Sequence, residues 1–223
     1  MSTFLPKDPR LKHLNIAGMM AINRFPMAVS MIGRMSFYID VLILRLDTLN
    51  GSELLFTDTQ EMFTREKRIR VFKGVSKWDR HTWRDELLQE TLGYYFNNSS
   101  DTNGPDILLT PDEDECFEPN AIVQDILDFS ESESYFALFD YNMVLCPSEP
   151  GHTKAPKYPR SKHCKMFKYV PGMSYSSPNY RGCALPNHGN KQIKNSTFFE
   201  ARSKIQHYCY YKKEWMRTHK HHN

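Results

Sequence analysis

Between Asp85 and Thr153 the chain has no lysine or arginine, although that stretch holds sixteen aspartates and glutamates. The flanks compensate. Residues 1–84 carry fourteen basic and eight acidic side chains, residues 154–223 carry fifteen and two, and the 223-residue whole has a net charge of only +3. Such opposed poles build long-range attraction into one surface. Other scarcities narrow the class further. There are eight alanines and ten glycines, with no repeat or low-complexity tract, while aromatic residues make up 13% and methionine adds eleven more contact side chains. Disorder throughout is excluded by that stock. The opening Met-Ser-Thr-Phe-Leu-Pro-Lys-Asp lacks the basic start and apolar run of a secretory signal, so a nuclear or cytoplasmic product is expected. Long apolar runs are missing as well: Phe25 to Leu46 is broken by Arg34, Asp40 and Arg45, short of the roughly 18 uncharged residues of a spanning helix. No membrane partner is expected. No catalytic signature occurs either, and the sequence reads as that of a protein that is not an enzyme and carries no cofactor.

Compact cysteine pairs are also absent. Cys116, Cys146, Cys164, Cys183 and Cys209 are five and widely spaced. Reduced, they read as free thiols; oxidised, they are disulfide candidates, and the odd count leaves one free or paired with another chain. Cys164, Cys183, His188, His207 and Cys209 are zinc ligands by type, but lack the paired spacing that makes a zinc motif strong.

The periodicity predicts a mainly α protein with minor β. Helices are expected around Leu11–Asn23, from Pro26 to Asn50, over Trp78–Phe96, from Pro119 to about Phe129, and over Thr197–Thr218. A strand competes over Tyr38–Leu44, whose Ile39, Val41 and Ile43 are β-branched. Arg68–Phe72 alternates like a short strand, and Tyr135–Cys146 reads as either strand or helix. Residues 147–190 hold seven prolines and four glycines among lysines and tyrosines. The expected organisation is therefore a helical core over 1–146, then a basic extended arm and terminal helix over 147–223.

The densest chemistry is Asp112-Glu113-Asp114-Glu115, with Asp106 upstream. Clustered carboxylates could serve a two-metal nuclease, but the acidic-x-Lys pair that chemistry needs does not follow. A solvated loop or a docking surface is favoured instead. Its complement would be the arm's Lys157, Arg160, Lys162, Lys165, Lys168 and Tyr169, together forming assembly contacts. The same basic, aromatic arm could bind nucleic acid through phosphates and stacked bases.

Lys73-Gly74-Val-Ser-Lys-Trp78-Asp79-Arg80-His81-Thr82-Trp83 resembles a stretch of the baculovirus polyhedrins, in which Lys-Gly is followed by an aromatic residue and Arg-x-Thr-Trp. The resemblance covers about a dozen residues. It implies a polyhedrin-like occlusion-body protein of an insect virus. Such a protein self-assembles into a dense lattice around virions, within an inclusion of the infected cell. Its partners would be further copies of itself, with intermolecular disulfides, and possible virion contacts. The alternative is a basic-armed regulatory protein that binds nucleic acid, with or without a structural zinc.

Overall fold

The structure is a computed structural model and describes residues 5–22, 31–46, 66–74, 82–98, 104–145, 162–175 and 198–209. Its centre is one eight-stranded mixed sheet rather than a helical core. The strands are β1 (Ile16–Ile22), β2 (Val41–Leu46), β3 (Ile69–Lys73), β4 (Ile107–Leu109), β5 (Glu115–Phe117), β6 (Phe136–Leu145), β7 (His163–Lys168) and β8 (Phe199–Cys209), in the order β3-β2-β1-β4-β7-β6-β8-β5. The first four strands in that order are parallel. β7 runs against both β4 and β6, β8 runs with β6, and β5 runs against β8.

The mainly α expectation fails for a physical reason. All seven residues of β1 and all six of β2 are buried. Ile16, Met20 and Ile22 enter one core cluster, Ala17, Met19 and Ala21 the other. A parallel strand covered on both faces reads as a continuous apolar run, which periodicity cannot separate from a buried helix. The helix expected over Leu11–Asn23 is therefore a 3-10 turn at Pro9–Leu11 followed by β1. The described part of the helix expected from Pro26 to Asn50 is a helical turn over 31–35 and then β2, and that of the expected terminal helix is β8.

Among the described residues, two long helices cover the sheet. α1 (Thr82–Asn98) brings Trp83, Leu87, Leu88 and Tyr95 to one face, and α2 (Pro119–Glu131) brings Ile122, Val123, Ile126 and Phe129 to the other. Pro119 stands at the first turn of α2, where its missing N–H costs nothing. Two close approaches fix local identity. A Cβ on Gly18 would lie 2.8 Å from side-chain carbons of Leu42 and Met35, and one on Gly74 would lie 2.2 Å from the Arg45 guanidinium. Arg45 itself is fully buried on the α1 face, its Nε donating to Glu86 at 2.7 Å.

Candidate functional site

Strand directions gather one set of polar residues. β4, β6 and β8 end, and β5 and β7 begin, at the same end of the sheet. The turn between β4 and β5 holds Asp112, Glu113 and Asp114, with Glu115 opening β5. Tyr141 stands on β6, His163 and Lys165 on β7, and His207 on β8 opposite Glu115. The first turn of α1 brings Arg84, whose Nη2 is 4.0 Å from Asp112 Oδ1.

Lys165 is the hub of this cluster. The β6–β7 register passes from Ala137↔Met166 to Leu138↔Cys164, which leaves Lys165 as the extra residue of a bulge. Bulges re-aim side chains. Its ammonium lies 2.9 Å from Asp112 Oδ2 and 2.9 Å from Glu115 Oε2, with the lysine side chain 5% exposed and that of Glu115 1%. Glu115 Oε1 also accepts from the Tyr141 hydroxyl, and Oε2 accepts from the Asp112 backbone N–H at 2.8 Å. Asp114 Oδ2 lies 3.5 Å from His207 Nε2. The Tyr141 ring is stacked between His163, at 3.9 Å, and His207, at 5.5 Å between centroids.

The electrostatics follow from burial and these pairs. Burial raises the Asp112 carboxyl, but Lys165 and Arg84 outweigh it and bring the group down to about 2. For Asp114 burial prevails, aided by the Asp112 charge, and the group is raised despite His207. Glu115 is raised in the same way against Lys165. Burial pushes the Lys165 ammonium down, yet Asp112 and Glu115 more than restore it, so it is raised overall. Burial, then the positive charge of Lys165, lowers His163.

The sequence singled out the carboxylates and included Lys165 in the arm expected to meet them. In the structure Asp112, Glu115 and Lys165 meet within one chain, and Glu113 is buried beside them. Lys162 instead pairs with Glu200 at 2.7 Å near the surface. Lys168 and Tyr169 line a cleft of about 300 Å³ at the opposite end of the sheet, with Asp106, Ser130 and Tyr135. That cleft holds a single carboxylate and lies at the amino end of β4, away from where ligands bind in such sheets. Cys116 and Cys164 are buried free thiols in the two different core clusters. The structure does not bring Cys164 to His207, whose neighbour Tyr141 packs on the α2 side of the sheet. Lys157, Arg160, Cys146, Cys183 and His188, and the side chain of Cys209, lie outside the described residues. Sequence reading missed Arg84, Tyr141 and His163. The visible signal was Asp-x-Asp, separated by only Thr110 and Pro111 from the apolar triplet Ile107–Leu109.

No known family model matches the chain, and neither does any curated protein sequence. Solved structures do. Among them are glycosyltransferases. GalNAc-T7 with UDP, GalNAc and Mn2+ matches at 10% identity and a TM-score of 0.47, over 59% of this chain and 24% of the other. S. aureus TarS matches at 10% identity and 0.45, over 62% and 23%. The mannosyltransferase PcManGT from Pyrobaculum calidifontis, with GDP-Man and Mn2+, matches at 6% identity and 0.44, over 62% and 38%. The chain thus spans well under half the length of each of these three proteins. None of these three is a polyhedrin, and the polyhedrin-like reading of residues 73–83 is withdrawn. With it go the lattice protein, its nucleic-acid-binding alternative and the expectation that the chain is not an enzyme.

A pair of carboxylates at the end of a strand is an ordinary seat for a divalent cation with oxygen ligands. The donor set here does not fit one. Asp112 and Glu115 share the Lys165 ammonium, Glu115 also holds Tyr141, and Asp114 faces His207. Among the described residues, no group of three His, Cys, Asp or Glu side chains is arranged to hold a metal ion.

Proposed function

We propose that the chain binds a nucleotide-activated sugar in the crevice outside the carboxyl ends of β1 and β4 and transfers the sugar to an acceptor hydroxyl. One observation carries this reading: Asp112 and Asp114 stand just past β4, where the strand order reverses. From β1 the chain moves outward to β2 and β3, then returns to place β4 on the other side of β1. In open sheets of parallel strands, nucleotides bind in the crevice at that reversal.

The residues divide the chemistry. Asp112, held ionised by Lys165 and Arg84, is an acceptor for ribose or sugar hydroxyls. Asp114 is raised, and a carboxylate moved toward neutral pH is the better general base. In the transfer, the anomeric carbon leaves its diphosphate oxygen and bonds to the acceptor oxygen, while the acceptor proton passes to Asp114. Arg84 is close enough to Asp112 to meet charge developing on the departing diphosphate.

The test is binding and turnover with UDP-GlcNAc, UDP-GalNAc and GDP-mannose. At about 100 times the dissociation constant, the sugar nucleotide that fits should add about 2.7 kcal/mol to stability, read as a raised melting temperature. Asp114→Asn should keep that shift and lower turnover by about 10²-fold or more. If none of the three moves the melting temperature or is turned over, the reading fails.

A further inference from the structure

The lysine inside the acid cluster has the position of a metal ion. Its ammonium bridges two carboxylates, at 2.9 Å to each, where a divalent ion would coordinate both. It cannot readily withdraw. Lys165 is the bulge residue of β7, its carbonyl accepts the Thr110 N–H at 2.9 Å, and its side chain is 5% exposed. The chain's own groups already engage these carboxylates. Lys165 contacts Asp112 and Glu115, Arg84 approaches Asp112, and His207 lies beside Asp114, so an added cation would have to displace one of them.

We infer that Lys165 is the site's own cation, which takes the place of a divalent ion between Asp112 and Glu115, so that the site binds its substrate without one. The last clause rests on the nucleotide-sugar reading; the assignment of Lys165 does not.

Titration of the intact chain with Mn2+ tests it, with the paramagnetic resonance signal of free Mn2+, the melting temperature and sugar-nucleotide affinity as readouts. The wild type should leave the free-ion signal unchanged at millimolar Mn2+, melt alike in Mn2+ and in EDTA, and bind the sugar nucleotide equally well in both. Lys165→Met removes the ammonium and keeps the stem. It should melt lower in EDTA, take up one Mn2+ per chain and recover stability with it, and lose the ion again when Asp112→Asn is added. Stoichiometric Mn2+ uptake by the wild type, or sugar-nucleotide binding that Mn2+ tightens by about tenfold or more, overturns the inference. So does a folded Lys165→Met chain that takes up no Mn2+. If Lys165→Met does not fold, the wild-type titrations decide alone. A wild type indifferent to Mn2+ that binds no sugar nucleotide would remove the proposed function and leave the assignment of Lys165 standing.

Discussion

Lys165 and its three carboxylates give the chain a pH response with two opposed limbs on the acid side. Asp112 falls to about 2 when folded, from about 3.9 when unfolded. Its contribution to stability is therefore present above pH ~4 and is lost as pH falls toward 2. Asp114 and Glu115 are raised, so the folded chain holds their protons after the unfolded chain has released them, and stability declines as pH climbs from ~4 through their folded values. Lys165 is raised too; what it adds is fully present below pH ~10.4 and disappears as pH rises through its higher folded value. The cluster's contribution should therefore peak at mildly acid pH. Denaturant unfolding across the range checks this: Asp112→Asn should flatten the limb between pH ~4 and 2 and weaken the decline above it, because the Asp112 charge helps to raise Asp114 and Glu115. A wild-type limb unchanged by that substitution would mean that another group carries it.

At the scale of elements, β8 shows how a strand was hidden and what holds its irregularity. Ala201, Ser203 and Ile205 turn inward while Arg202 and Lys204 turn out. That alternation was legible, but Phe198, Phe199, Tyr208 and Trp215 fitted a helical spacing over a longer window and masked it. Opposite β6 the register jumps from Leu138↔Glu200 to Asp140↔Lys204, so β8 bulges at 201–203. Asp125 of α2 is 1% exposed and accepts the Arg202 and Ser203 backbone N–H groups at 3.0 and 2.8 Å. Asp125→Ala would orphan both donors next to the core and should cost about 3 kcal/mol, measured by urea unfolding with an unchanged slope. A loss within the ±0.5 kcal/mol of ordinary surface changes would contradict this. α1, α2 and β3 were readable because each has an exposed face or a punctuating proline. β1 and β2 have neither, and the interior gave them no polar stripe to betray their period.

At the scale of the molecule, the opposed charge blocks were plain in the sequence, but what they meet was not. Asp112 and Lys165 are 53 positions apart, and only the β4–β7 and β6–β7 pairings bring them together. Register across a sheet depends on distant strands, so no local spacing could have disclosed it. β5 shows the same dependence in its strictest form. Its strand partner is β8, with Glu115↔His207 and Phe117↔Ile205 in register, and in the sheet order it lies beyond β8 at the edge. A chain ended at Ser196 would keep Asp112, Asp114 and Lys165 yet lose β8, with it the strand contacts of β5 and the partners of Asp125. It should fail to unfold cooperatively on heating; a sharp transition with wild-type enthalpy would refute that.

The same arrangement sets a schedule for biosynthesis. As the polypeptide leaves the ribosome, the acidic turn emerges long before the strand that will flank it, and pairings so remote along the chain are slow to form. Until then β5 offers open backbone to any passing edge. The nascent protein thus spends part of its synthesis with its most reactive corner half built, which is the interval in which a chaperone would have work to do.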